Sequence, residues 1–191
     1  MKLLEERILK DGRILPGNVL KVGSFLTHQL DTALATDMAK EWHKIFNNLG
    51  VTKILTIDGS GVGIASITAM MFNVPVLCAR KSSSANSVPA DFYSTKVVSF
   101  THGHIYHVSA KKDFITKDDK VLIIDDFLAN GSALKALLSL CNIAGATVVG
   151  CGIAIEKVFR GGGNDIRNLG YRVESLAKIS SMSDDGNIEF C

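Results

Sequence analysis

Charge of one sign is missing from this chain: 21 Lys and Arg face 19 Asp and Glu over 191 residues, a formal net charge of +2 with five His neutral. So small a balance supplies no broad field for gripping nucleic acid, and only a local basic patch could do so. Long hydrophobic runs are missing as well. The stretch VVGCGIAI at 148–155 is too short to span a bilayer, and MKLLEERILKDGR at the start lacks the apolar segment of a signal peptide. Cysteine is sparse, and Cys78, Cys141, Cys151 and Cys191 show no C-x-x-C spacing. Three of them sit in apolar segments and read as reduced core thiols, not as a disulfide framework or a zinc site. No repeat, low-complexity tract or linker divides the chain. What is present is core material: 47% hydrophobic and 21% charged residues are ordinary globular values. The expectation is one soluble, cytoplasmic domain, with no membrane or nucleic-acid partner.

Periodicity sets out the elements. Leu4 and Ile8, with Leu3 and Leu9, give a short helical stripe, and GRILPGNVLKVGSF at 12–25 reads as loop or short irregular strand. Leu34, Met38, Trp42, Ile45 and Leu49 recur at three- and four-residue steps, with Asp31 placed to cap and Gly50 to stop a longer helix. Strands, loops and helices then alternate: KILTI at 53–57, a GSGVG turn, helix IASITAMMF, strand VPVLCA at 74–79, strand KVLII at 120–124, helix SALKALLSLCNIAG, and strand TVVGCGIAIEK at 147–157. KVVSF and HIYHVSA, at 96–110, form an inserted hairpin around Thr101 to Gly103, and the tail from Tyr171 gives two short strands turning at Asp185 and Gly186. This alternation predicts an α/β fold, a parallel sheet with helices on both faces.

Ligands of such sheets bind beyond the carboxyl ends of the strands. After KVLII come Asp125, Asp126, Phe127, Leu128, Ala129, Asn130, Gly131, Ser132 and Ala133, running into a helix. Two adjacent acids at the end of a buried strand need polyol hydroxyls or a magnesium ion to justify them. The small residues after them leave backbone N–H groups free at a helix N-terminus, which suits an anion. Together they describe a cradle for a sugar phosphate, against the plainer reading of a loop with Ser132 as cap and both acids solvated. A second loop, Asp58 to Gly63, is a glycine-rich connection. As a dinucleotide fingerprint it is weak, because Ile64 stands where the third glycine belongs, and position 80 carries no acid but Arg80, which would suit a 2′-phosphate. Arg80 and Lys81 suit a pyrophosphate, and the following SSSANS reads as a lid or as a solvated loop.

VLIIDDFLANGSA resembles the phosphoribosyl-pyrophosphate motif of the type I phosphoribosyltransferase family. The DDFLANG form, with VLKVGSFLTHQLD, TKIL, VPVLCARK, IAIEK and LGYRVESLAKI in the same order, is similar to that family's xanthine-specific branch over nearly the whole chain. The resemblance implies a Rossmann-like core over about 31–175, with a hood from about 1–30 completed by the C-terminal tail. It implies transfer of the 5-phosphoribosyl group from 5-phosphoribosyl 1-pyrophosphate to a purine, with Mg²⁺ carried by the donor, no direct protein ligand for the metal, and a homodimer. Asp125 and Asp126 would hold the ribose, and Ala129, Asn130, Gly131, Ser132 and Ala133 the 5-phosphate. Ser60, Gly61, Arg80 and Lys81 would face the pyrophosphate, and Leu20, Thr27 and Lys157 the base.

The chain departs from the usual family form at Asp58-Gly59, at Gly63-Ile64 and at Thr27, where many relatives have Asn. His102, His104 and His107 read as a hairpin rather than a metal site, since His104 and His107 point to opposite faces of an extended strand. Arg160 with Gly161 to Gly163 resembles a phosphate-friendly loop, though a surface turn suffices to explain it. Two other functions remain open: transfer to adenine or guanine, and a non-catalytic regulator that binds purine or donor. The second would need a DNA-binding helix-turn-helix, for which there is no room before residue 12.

Overall fold

The computed structural model describes residues 1–83, 89–98, 105–183 and 185–191. Helix α1 (Lys2–Asp11) buries Leu4 and Ile8 completely but leaves Leu3 and Leu9 48% and 59% exposed, so its apolar stripe is one row wide. Strands β1 (Arg13–Leu15) and β2 (Val19–Lys21) form an antiparallel hairpin, turned by positive φ at Gly17 and Asn18. After a five-residue turn at Gly23–Thr27 comes α2 (Thr32–Phe46). Asp31 caps it as expected: its Oδ1 accepts from the Ala33 and Leu34 N–H groups at 3.1 Å each, while Arg7 Nη1 reaches Oδ2 at 2.9 Å.

The remaining elements are β3 (Lys53–Ile57), α3 (Gly61–Phe72), β4 (Val76–Ser82), β5 (Phe92–Val98), β6 (Ile105–Lys111), β7 (Lys120–Leu128), α4 (Ser132–Ala144), β8 (Thr147–Lys157), α5 (Gly162–Asn168), β9 (Val173–Met182) and β10 (Ile188–Phe190). The last eight strands make one sheet in the order β10-β9-β8-β7-β3-β4-β6-β5. From β9 to β4 the neighbours are parallel, while β6 pairs antiparallel to β4, β5 to β6, and β10 to β9. The expected parallel sheet is thus the middle of a mixed one, flanked by helices, with the inserted hairpin as one edge. The turn of that hairpin, and the Thr101–His104 stretch, lie outside the described residues.

Several boundaries move for identifiable reasons. β4 runs on through Ser82 because Arg80, Lys81 and Ser82 gain partners in Ser109, Val108 and His107 of β6. β7 continues past Ile124 to Leu128 because β8 extends far enough to pair with it there, Leu128 opposite Glu156. β9 is ten residues long, not short, since it pairs with β8 as far as Lys157. α3 begins at Gly61, inside the expected glycine turn.

Two apolar layers sandwich the sheet. On one face Leu34, Met38, Trp42 and Phe46 of α2 meet Ile64 and Ala65 of α3 over Ile54, Leu122 and Ile124. On the other, Leu137, Leu140 and Cys141 of α4 cover Leu55, Val121, Ile123 and Ile153. Glycines in β8 let the α2 rings lie flat on the strand: a Cβ on Gly152 would stand 2.7 Å from Ile124 Cδ1 and 2.9 Å from the Trp42 indole. Both neighbours are wholly buried and cannot withdraw. Gly152→Ala should therefore cost about 1–3 kcal/mol through overpacking. Urea unfolding would read this as a lower midpoint at unchanged slope.

Candidate active site

The chain moves from β3 outward to β4, then returns to β7 on the other side of β3 and proceeds to β8 and β9. Strand order reverses between β3 and β7, so a crevice opens above their carboxyl ends. The loops that leave these two strands are the Asp58–Ser60 and Ala129–Gly131 segments.

Both acids lie on β7 itself rather than in the loop after it. Before the acids Val121 and Ile123 face the α4 layer and Leu122 and Ile124 the α3 layer, while Phe127, just past them, packs with the α3 layer. Asp125 is only 5% exposed; burial and then the neighbouring Asp126 carboxylate push its carboxyl well above the ordinary range, while Lys81 opposes them. Its Oδ1 accepts from the Asp126 N–H at 3.0 Å. Asp126 accepts from the Phe127 N–H at 2.9 Å and from the Ser60 hydroxyl. The loop after β3 is thus tied to the end of strand β7 by Ser60 and Asp126. Gly61 is glycine because a Cβ would lie 2.8 Å from Asp125 Oδ1 and 2.9 Å from Thr56 Oγ1. The Thr56 hydroxyl and Asp58 Oδ1 are buried without a hydrogen-bond partner.

Past the acids, Gly131 takes φ +79° and turns the chain into α4. Asn130 Oδ1 accepts from the Ser132 N–H at 3.2 Å, so Asn130 caps this end and Ser132 is the first helical residue. Among the described residues no side chain accepts from the next N–H groups, those of Ala133 and Leu134, and Gly131 itself offers no capping side chain. A 13-residue helix with an open amino end beside two carboxylates can hold a phosphate on one side and sugar hydroxyls on the other.

Arg80 and Lys81 are both exposed, and neither pairs with a carboxylate among the described residues. As consecutive strand residues they point to opposite faces, and Lys81 is the one whose charge Asp125 feels. The Lys81 N–H donates to Asp58 Oδ2 at 3.3 Å, bracing the β3 loop against β4. The Ser-rich stretch falls largely on residues 84–88, outside the described residues. Tyr106, on the hairpin strand β6, was not foreseen; burial and then the Asp125 carboxylate raise its hydroxyl above the ordinary range, which places the hairpin beside the acids.

The remaining residues sit at the hood. Lys157 ends β8, and its Nζ donates to Asn18 O at 2.9 Å and stands 5.7 Å from the Phe127 ring centroid. Burial and then Arg160 lower its pKa. Thr27 closes the turn after β2 and is half-buried, its hydroxyl unbonded among the described residues. Leu20 is 6% exposed in the apolar layer, with its Cδ1 beside Gly12. Phe127 was also missed; its position directly after the acids was the available signal. Gly161 to Gly163 are not a surface turn but lead into and begin α5, where Gly162 and Gly163 are buried.

An open α/β sheet with paired acids and a free helix end at its switch point defines a binder of a phosphorylated sugar. A family model described as phosphoribosyl transferase domain matches residues 22–180. The protein called xanthine phosphoribosyltransferase in Ruminiclostridium cellulolyticum is 50% identical over 190 residues, covering 100% of this chain and 99% of that one. Its namesake in Bifidobacterium adolescentis is 51% identical over 192 residues, covering 100% and 99%. The chain belongs to the phosphoribosyltransferase family, in its xanthine phosphoribosyltransferase branch. Among solved structures, the adenine phosphoribosyltransferase of Trypanosoma brucei, in complex with AMP, pyrophosphate and ribose-5-phosphate, superposes with a TM-score of 0.78. At 20% identity, covering 96% of this chain and 82% of that one, it shows the fold.

Proposed function

We propose that this enzyme transfers the 5-phosphoribosyl group from 5-phosphoribosyl 1-pyrophosphate to xanthine, giving xanthosine 5′-monophosphate and pyrophosphate in purine salvage. The observation that carries this reading is half identity, end to end, with proteins named for that activity. The geometry supports it. The Ala129–Ala133 segment and the α4 amino end take the 5-phosphate, while Asp125 and Asp126 take the ribose hydroxyls. Lys81, with Arg80 and the Ser60–Gly61 turn, faces the pyrophosphate. Bond breaking at the anomeric carbon leaves positive charge on the ribose ring, which the carboxylate pair favours, and negative charge on the leaving group, which the cations favour. The described residues bring together no set of three or more His, Cys, Asp or Glu that could hold a metal. Magnesium fits here as a companion of the donor's pyrophosphate, neutralising charge as it leaves.

Base choice follows from donors. Lys157 and the Thr27 hydroxyl offer hydrogens to exocyclic oxygens, which xanthine carries at two ring positions, whereas the exocyclic amine of adenine needs an acceptor. The protein works as a cytoplasmic homodimer in this reading, as the resemblance implies. The free thiols suit a reducing compartment: Cys141 and Cys151 are pushed up to about 12 by burial and are inert. No described helix is long and apolar enough to cross a membrane. Turnover with xanthine, hypoxanthine, guanine and adenine, measured in parallel at saturating donor, tests the proposal. Xanthine should give the highest kcat/KM. Preference for adenine would overturn the base assignment, and turnover with no base would overturn the reaction.

A further inference from the structure

An ionic cluster that touches no substrate in this reading lies between the two halves of the site. Glu156, 1% exposed, directly precedes Lys157 on β8. Arg167 of α5 donates to both its carboxylate oxygens, Nη1 to Oε1 and Nη2 to Oε2, at 2.7 Å each. Ser175 of β9 donates to Oε2 as well. Burial opposes the charge on Glu156, but the bonds from Arg167 and Ser175 outweigh it and hold the carboxyl below its usual range. A buried bidentate pair costs much to desolvate, so it adds little net stability over apolar packing. What it does supply is geometry.

That geometry runs through α5. A side chain at Gly163 would overlap Glu156 Oε1 and stand 2.7 Å from Arg167 Nη1. The residue before it faces the phosphate loop: the Gly162 N–H donates to Ala129 O at 3.0 Å. A Cβ on Gly162 would overlap the Ala129 carbonyl and lie 2.5 Å from the Gly131 nitrogen. Ile166 packs its Cδ1 against Gly131. One short helix is thus wedged, with no side chain at either glycine, between the Glu156 carboxylate and the backbone of the Ala129–Gly131 loop. Seven residues make a helix too short to hold itself.

We propose that the Glu156–Arg167 pair is a positioning device that holds α5 against the Ala129–Gly131 loop and so fixes the donor's 5-phosphate relative to Lys157. The inference rests on the assignment of that loop and of Lys157 above. Arg167 and Glu156 are positioning residues, acting through α5 rather than on the reacting atoms. A wholly structural pair would affect donor and base alike, in proportion to lost stability. A positioning pair affects the donor selectively, because Lys157 is held independently by Asn18 and Phe127.

The test compares Arg167→Lys, Gly163→Ala and Ser175→Ala with the wild type. Its readouts are calorimetric binding of magnesium 5-phosphoribosyl 1-pyrophosphate without base, the KM for each substrate, and thermal melting. Arg167→Lys keeps the charge but loses the bidentate fork, and Gly163→Ala drives a methyl into the place of Glu156 Oε1 and Arg167 Nη1, forcing α5 away from the carboxylate with both charges kept. Both should weaken donor binding by about 10-fold or more, as small misplacements of a substrate-positioning group do, with base KM held within about twofold. Ser175→Ala removes a bond to the same carboxylate from β9, not from α5, and should lower the melting temperature without changing donor affinity. Should Arg167→Lys fail to fold, Gly163→Ala reads the same contact. Unchanged donor binding in the folded variants, or donor and base affinities falling together as stability falls, would overturn the proposal. A wild type that does not bind the donor at all would overturn the assigned reaction, and the positioning role with it.

Discussion

Turnover should fall by about 10–1,000-fold, on the order of 1.4–4 kcal/mol of barrier, when Asp125 or Asp126 is replaced by Asn. Each substitution keeps shape and most hydrogen bonds but withdraws a charge from the ribose side of the crevice. The two variants differ in the folded protein. Asp126 is braced by Ser60, so Asp126→Asn also loosens the tie between the β3 loop and strand β7. Asp125 is buried with its carboxyl raised well above 3.8, so its ionised form burdens the fold. In the unfolded chain the same group ionises from about pH 4 upward. Folding therefore favours the protonated acid: its contribution is fully present below about pH 4 and is lost as pH rises through the folded value. Asp125→Asn should melt with the wild type in acid and above it near neutrality, the gap widening with pH. A gain in melting temperature with a loss of turnover is the mark of a group held in place for function at the expense of stability. Steady-state rates and melts across pH check both halves. Unchanged turnover in both variants would remove the carboxylate pair from the mechanism.

That pairing of burial and charge was only half legible in the sequence. The acids were visible as acids, because two carboxylates after a continuous apolar run are chemically unusual. Their place on the strand was not, since β7 is prolonged by its partner β8, and no local propensity reports a neighbour's length. The same holds for Arg80 and Lys81. As a dipeptide they read as one basic pair, but pairing of β4 with β6 keeps them extended and sends their side chains to opposite faces. Strands such as KILTI and TVVGCGIAIEK were legible to the residue, as runs buried on both faces, and Asp31 was legible as a cap. The order of the strands was not. The reversal between β3 and β7 creates the crevice, and it depends on which side of β3 the chain returns to. The Gly161–Gly163 run misleads for a different reason. Glycine propensity signals a turn, whereas Gly162 and Gly163 are required because backbone and carboxylate occupy the space where side chains would stand.

Removal of the Lys157 side chain should separate the two substrates more sharply than any other change at the hood. Its ammonium rests between Asn18 O and the Phe127 ring, half-buried, with no carboxylate paired to it among the described residues. A cation so placed is costly unless it gains another partner, and an oxygen of the base is that partner in this reading. Lys157→Ala should raise the KM for xanthine by one to two orders of magnitude, the equivalent of roughly 1.5–3 kcal/mol for a charged hydrogen bond. The KM for the donor should change little, because the Ala129–Gly131 loop and the Asp pair do not touch Lys157. The fold should tolerate the loss: the bond to Asn18 goes, but so does the desolvation that lowers the lysine's pKa. Lys157→Met, which keeps the stem packed on Phe127 without the charge, distinguishes hydrogen bonding from packing. It should match the alanine variant in xanthine KM while keeping the wild-type melting temperature. If both KM values rose together, or if the methionine variant bound xanthine normally, Lys157 would be holding the hood to β8 rather than reading the base.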